Sequence, residues 1–410
     1  MPTNYQYRYV TLIKEDSYAT VGSGLSLTGE VDDESVAHQF DLMTRGDMSY
    51  LGAKKSVVGK THSEGGINLV CQPDDFSAML LRGVYNSYQL NSGTSHYMHE
   101  TMGIATGLPS FTLKIGREDA EHTYAGMCLT RVSMAANVGE YVTMSADFTG
   151  RGETPVVGVL STAPTFSGGE DDGFHFVGAE VFFDDGTVAK PVSAGADVKS
   201  FSLEWNTNLN TDTSYALGSR TCAKQPAPQM REITGSLEFS RPVLAVAPAL
   251  GPNDEPAYQA AQTAAGLIYD SAITTLLDGA VTAGATSITV DATANFISTG
   301  GTATIGNDTF IYTSATGTTI SGIPASGDGA IAAHADNSVV TAGRPAIQLK
   351  LTSGAKIVTI DVQKVIWDSP TMNVSGRDAS SMSLGFTALV DVGHRMSTVT
   401  WANQSTVSLA

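Results

Sequence analysis

The sequence predicts a mainly β protein: an antiparallel β-sandwich or partial barrel flanked by one or two α-helices, with a small all-β module inserted into it. Three observations lead to this prediction. Stretches in which apolar and polar residues alternate recur along the chain, as expected of strands that bury one face. Turn-forming residues separate these stretches. Glycine is frequent, with 42 residues in 410, which suits a chain of many tight turns. Only two segments have the apolar periodicity of a helix.

Four alternating stretches define the predicted strands most clearly, because each places its apolar side chains on one face. Turn signals such as Asn137-Val-Gly139 bound them, which indicates antiparallel strands joined by short connections. Asp171-Asp-Gly and Asp184-Asp-Gly are interpreted as hairpin turns, because neither has the spaced carboxylates of a calcium-binding loop. The four stretches are residues 111–116, 141–148, 201–205 and 382–389.

Two segments are predicted to be helical. The first follows Asp74 and Asp75, residues of a type that caps a helix N-terminus, and its apolar residues recur at helical spacing up to about Tyr88. The second spans about residues 255–277, where alanine and leucine recur on successive turns. We expect both helices to cover the hydrophobic core.

The composition changes within residues 279–342 to Ala, Gly, Thr, Ser and Ile, and no Lys or Arg occurs between Arg241 and Arg344. Short strands with tight turns fill this segment, and the earlier style of sequence resumes after it. We therefore expect a discontinuous core domain of residues 1–278 and 343–410 and an inserted, β-rich surface domain of residues 279–342. The alternative is that the segment belongs to a single common core.

The bulk composition excludes several classes of protein. The net charge of −18 argues against a partner held by phosphate contacts, because such proteins present basic surfaces. No stretch is long and apolar enough for a membrane helix, and the first residues do not resemble a signal peptide. Cys71, Cys128 and Cys222 are too few and too far apart for a disulfide scaffold or a thiolate zinc site, which suits assembly in cytoplasm.

No motif in the sequence indicates catalysis. The best candidate for a metal site is His96-Tyr-Met-His99-Glu100, but its spacing differs from that of helical zinc motifs, and we expect a polar loop instead. The chain has no Gly-x-Ser-x-Gly elbow, no phosphate-binding Gly-Lys-Ser/Thr loop and no Cys-x-x-Cys. We therefore expect a protein that is not an enzyme and has no catalytic residue, cofactor or metal.

Several stretches, in their order and spacing, resemble phage tail tube proteins. One is a predicted hairpin that opens with Tyr124-x-Gly126 and closes with Phe148-x-Gly150, and another is a meander whose last strand begins Arg231-Glu-x-Thr-Gly. The resemblance covers about residues 10–270 and 343–395, and the segment 279–342 interrupts it. The stretches that carry it are residues 15–20, 54–60, 66–70, 124–153, 198–205, 231–239 and 373–389.

The resemblance implies a sandwich or partial barrel flanked by a helix, in subunits that associate into hexameric rings. Strands of neighbouring subunits would join into one barrel around a lumen, which removes exposed edges, and the rings would stack into a tube. The tube would conduct viral DNA, without specific binding, and the tape measure protein. Further implied partners are the tail terminator, baseplate or tail-tip proteins and, in a contractile tail, a sheath protein. The implied location is the virion tail, assembled in host cytoplasm without membrane insertion.

Two sets of residues are predicted to serve this assembly. The loop 41–64 is expected to make ring-to-ring contacts, because its apolar residues are poorly suited to water; the alternative is that it packs on its own subunit. The stretches 143–147 and 232–238 are plausible lumen strands, because both of their faces carry polar residues. The predicted contact residues are Met43, Met48, Tyr50 and Leu51, and the predicted acidic lumen residues are Asp147, Glu232 and Glu238.

Three other functions are compatible with parts of the sequence. Another virion component, such as a capsid decoration protein or a baseplate hub, would share the β-rich composition without forming a polymer. A secreted β-rich adhesin or pilus subunit would explain the Thr- and Gly-rich segment, although no signal peptide is evident. A glycan-binding or glycan-cleaving tail protein would need clustered aromatic residues with paired carboxylates, whereas Trp205, Trp367 and Trp401 lie in different segments.

Overall fold

The computed structural model shows a mainly β protein in which every pairing between strands is antiparallel. Among the residues it describes there is one α-helix and no closed barrel. The predicted fold class, an antiparallel sandwich with a flanking helix, is therefore confirmed. The described residues are 8–45, 55–91, 95–100, 107–117, 120–156, 166–167, 173–183, 192–193, 198–239, 273–293, 296, 301–306, 308–326, 330–342, 346–368, 371–373, 381–390 and 395–409.

The first part of the chain forms eleven strands and the helix. Several strands are long, with 16 residues in β5 and 18 in β9. The elements are β1 (Tyr9–Lys14), β2 (Ser26–Gly29), β3 (Asp33–Glu34), β4 (Ala37–Arg45), β5 (Lys55–Val70), α1 (Asp75–Arg82), β6 (Ser87–Asn91), β7 (Ser95–His99), β8 (Phe111–Arg117), β9 (Ala120–Asn137), β10 (Thr143–Gly150) and β11 (Gly152–Val156).

The remaining strands follow in three groups, and two short 3-10 helices, Phe176–Gly178 and Asp212–Ser214, accompany the first of them. The first group is β12 (Ala179–Phe183), β13 (Val192–Ser193), β14 (Val198–Asn206), β15 (Leu209–Asn210), β16 (Ala227–Pro228) and β17 (Glu232–Phe239). The second is β18 (Ile273–Leu276), β19 (Ser287–Thr289), β20 (Gly301–Ile305), β21 (Asp308–Tyr312), β22 (Ser314–Thr316), β23 (Thr319–Ser321) and β24 (Val339–Ala342). The third is β25 (Ile347–Ser353), β26 (Lys356–Val362), β27 (Lys364–Trp367), β28 (Thr371–Asn373), β29 (Ser381–Leu389) and β30 (Ser397–Ala402).

Two sheets enclose the main core. The larger, of 14 strands, contains the path β2-β1-β8-β9-β14-β17-β29-β27, and β10 joins β9 to β5 and the hairpin arm β4. The smaller has the order β13-β12-β25-β26-β30-β7-β6. Apolar side chains from both sheets, such as Leu203 and Leu237 from the larger and Leu349 and Ile360 from the smaller, line one small cavity between them. The sheets thus pack face to face, as in a sandwich.

Helix α1 begins where the sequence predicts and ends earlier. The side chain of Asp74 accepts a hydrogen bond of 2.8 Å from the backbone N–H of Ser77, which caps the N-terminus. The predicted end near Tyr88 is wrong, because the helix ends at Arg82. A Cβ on Gly83 would lie 2.0 Å from the Leu129 side chain, so glycine lets the chain pass close to β9 as it turns into β6.

The second predicted helix, residues 255–277, is wrong in the part that the structure describes. Residues 255–272 lie outside the described part of the chain, and the last residues of the prediction form strand β18. Ile273 pairs with Ala342 and Leu276 with Val339, so this strand completes an antiparallel pair with β24. The β-branched Thr274 and Thr275 between them favour this pairing, which outweighs the helical periodicity seen in the sequence.

A second group of buried residues largely coincides with the predicted inserted domain. It runs from Leu277 to Ala342 and includes Phe296, Phe310 and Tyr312. The strands pair locally, in the orders β18-β24-β20-β21 and β19-β23-β22. Leu277 and strand β18 lie before the predicted boundary at residue 279, so the local core and pairing begin earlier than predicted. This local core and local pairing fit the predicted insertion, and the domain division itself stays a prediction.

The cap of helix α1 leads to a pH-dependent prediction. Burial of the carboxyl group raises the pKa of Asp74 from 3.8 to about 6. A raised pKa favours the folded state while the group is protonated, so this contribution is present below about pH 4 and is lost as the pH rises through 6. Asp74→Asn keeps the capping oxygen and removes the ionisation. We expect the variant to gain about 2–3 kcal/mol over the wild type at pH 8 and almost nothing at pH 4.

Urea unfolding of both proteins between pH 4 and pH 8 measures this difference. Asp74→Ala is the matched control, because it removes the cap together with the ionisable group and should be less stable than Asp74→Asn at every pH. Parallel stability profiles for the wild type and Asp74→Asn would contradict the prediction.

Candidate functional site

Six neighbouring strands of the larger sheet present one continuous polar face. Along β10 the side chains of Met144 and Ala146 are buried, whereas those of Thr143, Ser145 and Asp147 lie on the opposite side. The same alternation continues across the sheet in the strand order β5-β10-β9-β14-β17-β29. We call the outward side of these strands the polar face.

Small hydroxyl groups dominate the polar face. The Oγ atoms of Ser133 and Ser145 lie 2.7 Å apart across β9 and β10, and those of Ser202 and Ser236 lie 2.8 Å apart across β14 and β17. These cross-strand hydrogen bonds leave a flat surface of short side chains. The row that crosses all six strands is Asn68, Ser145, Ser133, Glu204, Thr234 and Thr387.

The charge of the polar face is negative. Arg131 is the one cation in its regular rows on β10, β9, β14 and β17, and two carboxylates hold it. Its Nε lies 2.8 Å from Oδ2 of Asp147 and its Nη1 lies 3.4 Å from Oε2 of Glu204. The hydrogen bond with Asp147 raises the pKa of Arg131, so the guanidinium stays charged but is paired. With Glu232 and Glu238, four carboxylates stand against one guanidinium.

The structure places the three predicted lumen residues on this same face. Asp147 and Glu232 lie in one row, separated by Arg131 on β9 and Asn206 on β14, and Glu238 lies near the other end of β17. That they line a channel stays a prediction. The expectation that both faces of these strands are polar is wrong, because the faces opposite these residues are apolar and buried.

Two residues of the polar face were missed by the sequence reasoning. Arg131 and Glu204 become neighbours of Asp147 through the strand register, which the sequence does not reveal. The available signal was the alternation of Phe201-Ser-Leu-Glu204-Trp, which already placed Glu204 opposite the apolar side chains.

The predicted loop 41–64 is a long β-hairpin in its described part. Strands β4 and β5 pair from Ala37 opposite Glu64 to Arg45 opposite Lys55. Every side chain of β4 after Ala37 is exposed, on both faces of the strand, so this arm has no core of its own. The loop was predicted wrongly because its strands lack a buried face and hence lack the alternation on which strand prediction depends.

The hairpin carries a group of exposed apolar side chains. Met43 is 61% exposed and pairs across the strands with Val57, which is 53% exposed. The other predicted contact residues, Met48, Tyr50 and Leu51, lie outside the described residues. Grouped exposure of apolar side chains is a feature of contact surfaces. That the hairpin makes ring-to-ring contacts stays a prediction. We call Phe40, Leu42, Met43 and Val57 the hairpin patch.

The base of the hairpin is fixed to the body of the protein. The backbone N–H of Thr61 donates to the carbonyl oxygen of Arg220 at 2.8 Å, and the Lys60 ammonium lies 3.3 Å from the Asp212 carboxylate. The same ammonium lies 4.6 Å from the centre of the Tyr215 ring. These contacts hold the base, and the exposed part of the hairpin extends beyond them.

The predicted polar loop at His96-Tyr-Met-His99-Glu100 is instead a buried strand, β7, followed by a buried glutamate. His96 lies 3.0 Å from the Tyr88 hydroxyl and 3.2 Å from the Asp75 carboxylate. Glu100 accepts hydrogen bonds from the backbone N–H groups of Met396 and Ser397, both at 3.1 Å. These partners satisfy the buried polar groups of His96 and Glu100 and give both residues a structural role.

The described part of the chain contains no group of three or more His, Cys, Asp or Glu side chains placed to hold a metal ion. Its helix is too short to cross a membrane. Both predicted hairpin turns, at Asp171 and Asp184, lie outside the described residues.

Comparison with models of known protein families gives a match. A family model described as phage tail tube protein matches residues 8–249. That range includes the hairpin and, apart from β29, every strand of the polar face. No curated protein matches the chain at a significant level.

Proposed function

Because the chain belongs to the phage tail tube protein family, we propose that its copies close into hexameric rings, which stack into the tube that conducts viral DNA and the tape measure protein. It is a structural protein of the phage tail. A conducting tube acts by its shape and charge, and the proposal includes no catalytic step, cofactor or metal.

The polar face is the observation that carries this proposal. It spans six strands, packs its opposite side against the core and has small side chains, so it offers a smooth wall. Among the described strands, the sheet that bears it does not close on itself within one subunit. Strand β4 lies at one end of its path and strands β27 and β28 at the other. Pairing of these ends between neighbouring subunits would extend the face around a channel and remove the exposed edges.

The charge of the polar face supports passage of DNA without binding. Duplex DNA carries one negative charge per about 1.7 Å of axis, and lysine or arginine side chains that reach its phosphates bind it by releasing counterions. The carboxylates on the polar face repel DNA instead. Arg131 is the cation in the regular rows of β10, β9, β14 and β17, and its pairing with Asp147 and Glu204 keeps it from the phosphates.

The remaining elements of the proposal concern assembly. The hairpin patch makes contacts between successive rings, and Met48, Tyr50 and Leu51 of the same connection contribute to them. The tube ends bind a tail terminator and baseplate or tail-tip proteins, and a contractile tail would add a sheath around it. Assembly takes place in the host cytoplasm, where the free and buried Cys71, Cys128 and Cys222 remain reduced.

Negative-stain electron microscopy of the purified protein tests the proposal. We expect hexameric rings with a central hole, and tubes stacked from them as the concentration rises. Tubes from virions of the same phage provide the reference for diameter and ring spacing. Monomers or trimers that never polymerise would contradict the proposal and favour a decoration protein or baseplate hub.

A further inference from the structure

A second group of exposed apolar side chains lies around the turn that joins β9 to β10. Val138 and Tyr141 belong to this turn, and Phe176 and Val177 belong to the 3-10 helix beside it. The backbone N–H of Phe176 donates to the carbonyl oxygen of Glu140 at 3.1 Å, which holds the two segments together. The four side chains, which we call the turn patch, are 40–70% exposed. Grouped exposure of this kind indicates a contact surface.

A groove of about 220 Å³ opens at the turn patch. Val138 and Phe176 line it together with Val181, Val198 and Phe201 from strands β12 and β14. The lining combines these apolar side chains with polar ones on its rim, and the size of the groove suits an aliphatic side chain such as that of Leu or Met. The polar lining residues are Asn137, Glu180, Lys199 and Ser200.

The register of the long strands places the two patches at opposite ends of the sheet. Val70, the last residue of β5, pairs with Thr143, which directly follows the turn between β9 and β10. In the other direction β5 runs 16 residues back to Lys55 in the hairpin, a length of roughly 50 Å. The turn patch and the hairpin patch therefore lie at opposite ends of the long strands, roughly 50 Å apart along β5.

We propose that the hairpin patch of one subunit docks on the turn patch of a second copy of this chain in the next ring, with Leu42 or Met43 in the groove. This inference rests on the proposed function and names the receiving surface. A head-to-tail stack needs two different surfaces at opposite ends of the subunit, because the same contact is then repeated by every added ring. The two patches meet this requirement, and both are apolar.

Charge adds to the apolar contact. Arg45 and Lys55 lie directly opposite each other on the hairpin, an arrangement of like charges that destabilises an isolated strand pair. Exposed Glu140 lies within the turn between β9 and β10 and would bring a carboxylate to these two cations. Glu180 and Lys199 both line the groove, so the charge of the groove itself is mixed.

Disulfide cross-linking between two variants tests the docking. Met43→Cys protein and Val177→Cys protein are mixed, assembled into tubes and oxidised, and the products are separated on a non-reducing gel. The three native cysteines are buried and give little background. We expect a covalent dimer in the mixture and at most a trace of dimer when either variant is assembled alone.

Leu217→Cys is the matched control for Val177→Cys. Leu217 is fully exposed and lies in the loop that contacts the base of the hairpin, at the other end of the sheet from the turn patch. Tubes that give no dimer between the Met43→Cys and Val177→Cys proteins, or as much dimer with the Leu217→Cys protein, overturn the docking while the proposed function stands. A wild-type chain that forms no tubes at all overturns both.

Discussion

We expect that tubes no longer form when Leu42 and Met43 are both replaced by aspartate, whereas rings still do. Both side chains are more than half exposed in the subunit, so the double substitution leaves its core unchanged. Burying each native side chain contributes about 1.5–3 kcal/mol to a contact, and a charge at the same place must be desolvated as well. Every subunit of a ring repeats this loss, so we expect stacking to be abolished rather than weakened.

Electron microscopy and sedimentation velocity distinguish rings from tubes in this experiment. Leu217→Asp is the control, because it places the same charge at an exposed leucine outside the hairpin. Unchanged thermal unfolding of the double variant shows that the subunit remains folded. Tubes of normal length from the Leu42→Asp, Met43→Asp protein would contradict a role of the hairpin in stacking.

We expect virions whose tube subunit carries Asp147→Asn and Glu204→Gln to eject their DNA on the order of tenfold more slowly than wild type. The double substitution removes both carboxylates that hold Arg131 and leaves Glu232 and Glu238 as the remaining acids in the rows around it. Each subunit then offers an unpaired guanidinium to the phosphates. Because the contact repeats in every ring, even a weak attraction per subunit accumulates along the tube.

The readout is ejection from purified virions, followed with a DNA-binding dye as a function of salt. The slowing should diminish as salt rises, because phosphate contacts release counterions. Adding Arg131→Gln to the double variant should restore the wild-type rate, since this triple variant has no guanidinium to expose. Ejection of the double variant at the wild-type rate in low salt would mean that Arg131 does not face the DNA.

The sequence predicts those parts of the fold in which one strand face is buried. Alternation in residues 201–205 and 382–389 identifies strands β14 and β29, and the cap at Asp74 locates the start of α1. The hairpin of β4 and β5 escapes prediction because no face of its outer part is buried, so no alternation develops. Residues 273–276 were assigned to a helix because the pairing partner of β18, more than 60 residues away, is invisible to local periodicity.

The candidate site likewise has a part that the sequence identifies and a part that only the structure shows. Asp147, Glu232 and Glu238 can be selected from their polar strands, and the structure places all three on one face. The pairing of Arg131 with Asp147 and Glu204 depends on the register of three strands, which no short stretch of sequence encodes. The strand β7 shows a related failure: a segment of His, Tyr and Glu suggests a loop until Asp75, Tyr88 and Ser397 supply its buried partners.

Cryo-electron microscopy of the assembled tubes, reconstructed to side-chain detail, shows which strands line the channel. We expect a channel wide enough for duplex DNA, walled by strands β5, β10, β9, β14, β17 and β29. Asp147, Glu204, Glu232 and Glu238 should face the lumen, with Arg131 held between its two carboxylates. A tube whose channel is lined by other strands, with the polar face on its outer surface, would contradict this expectation.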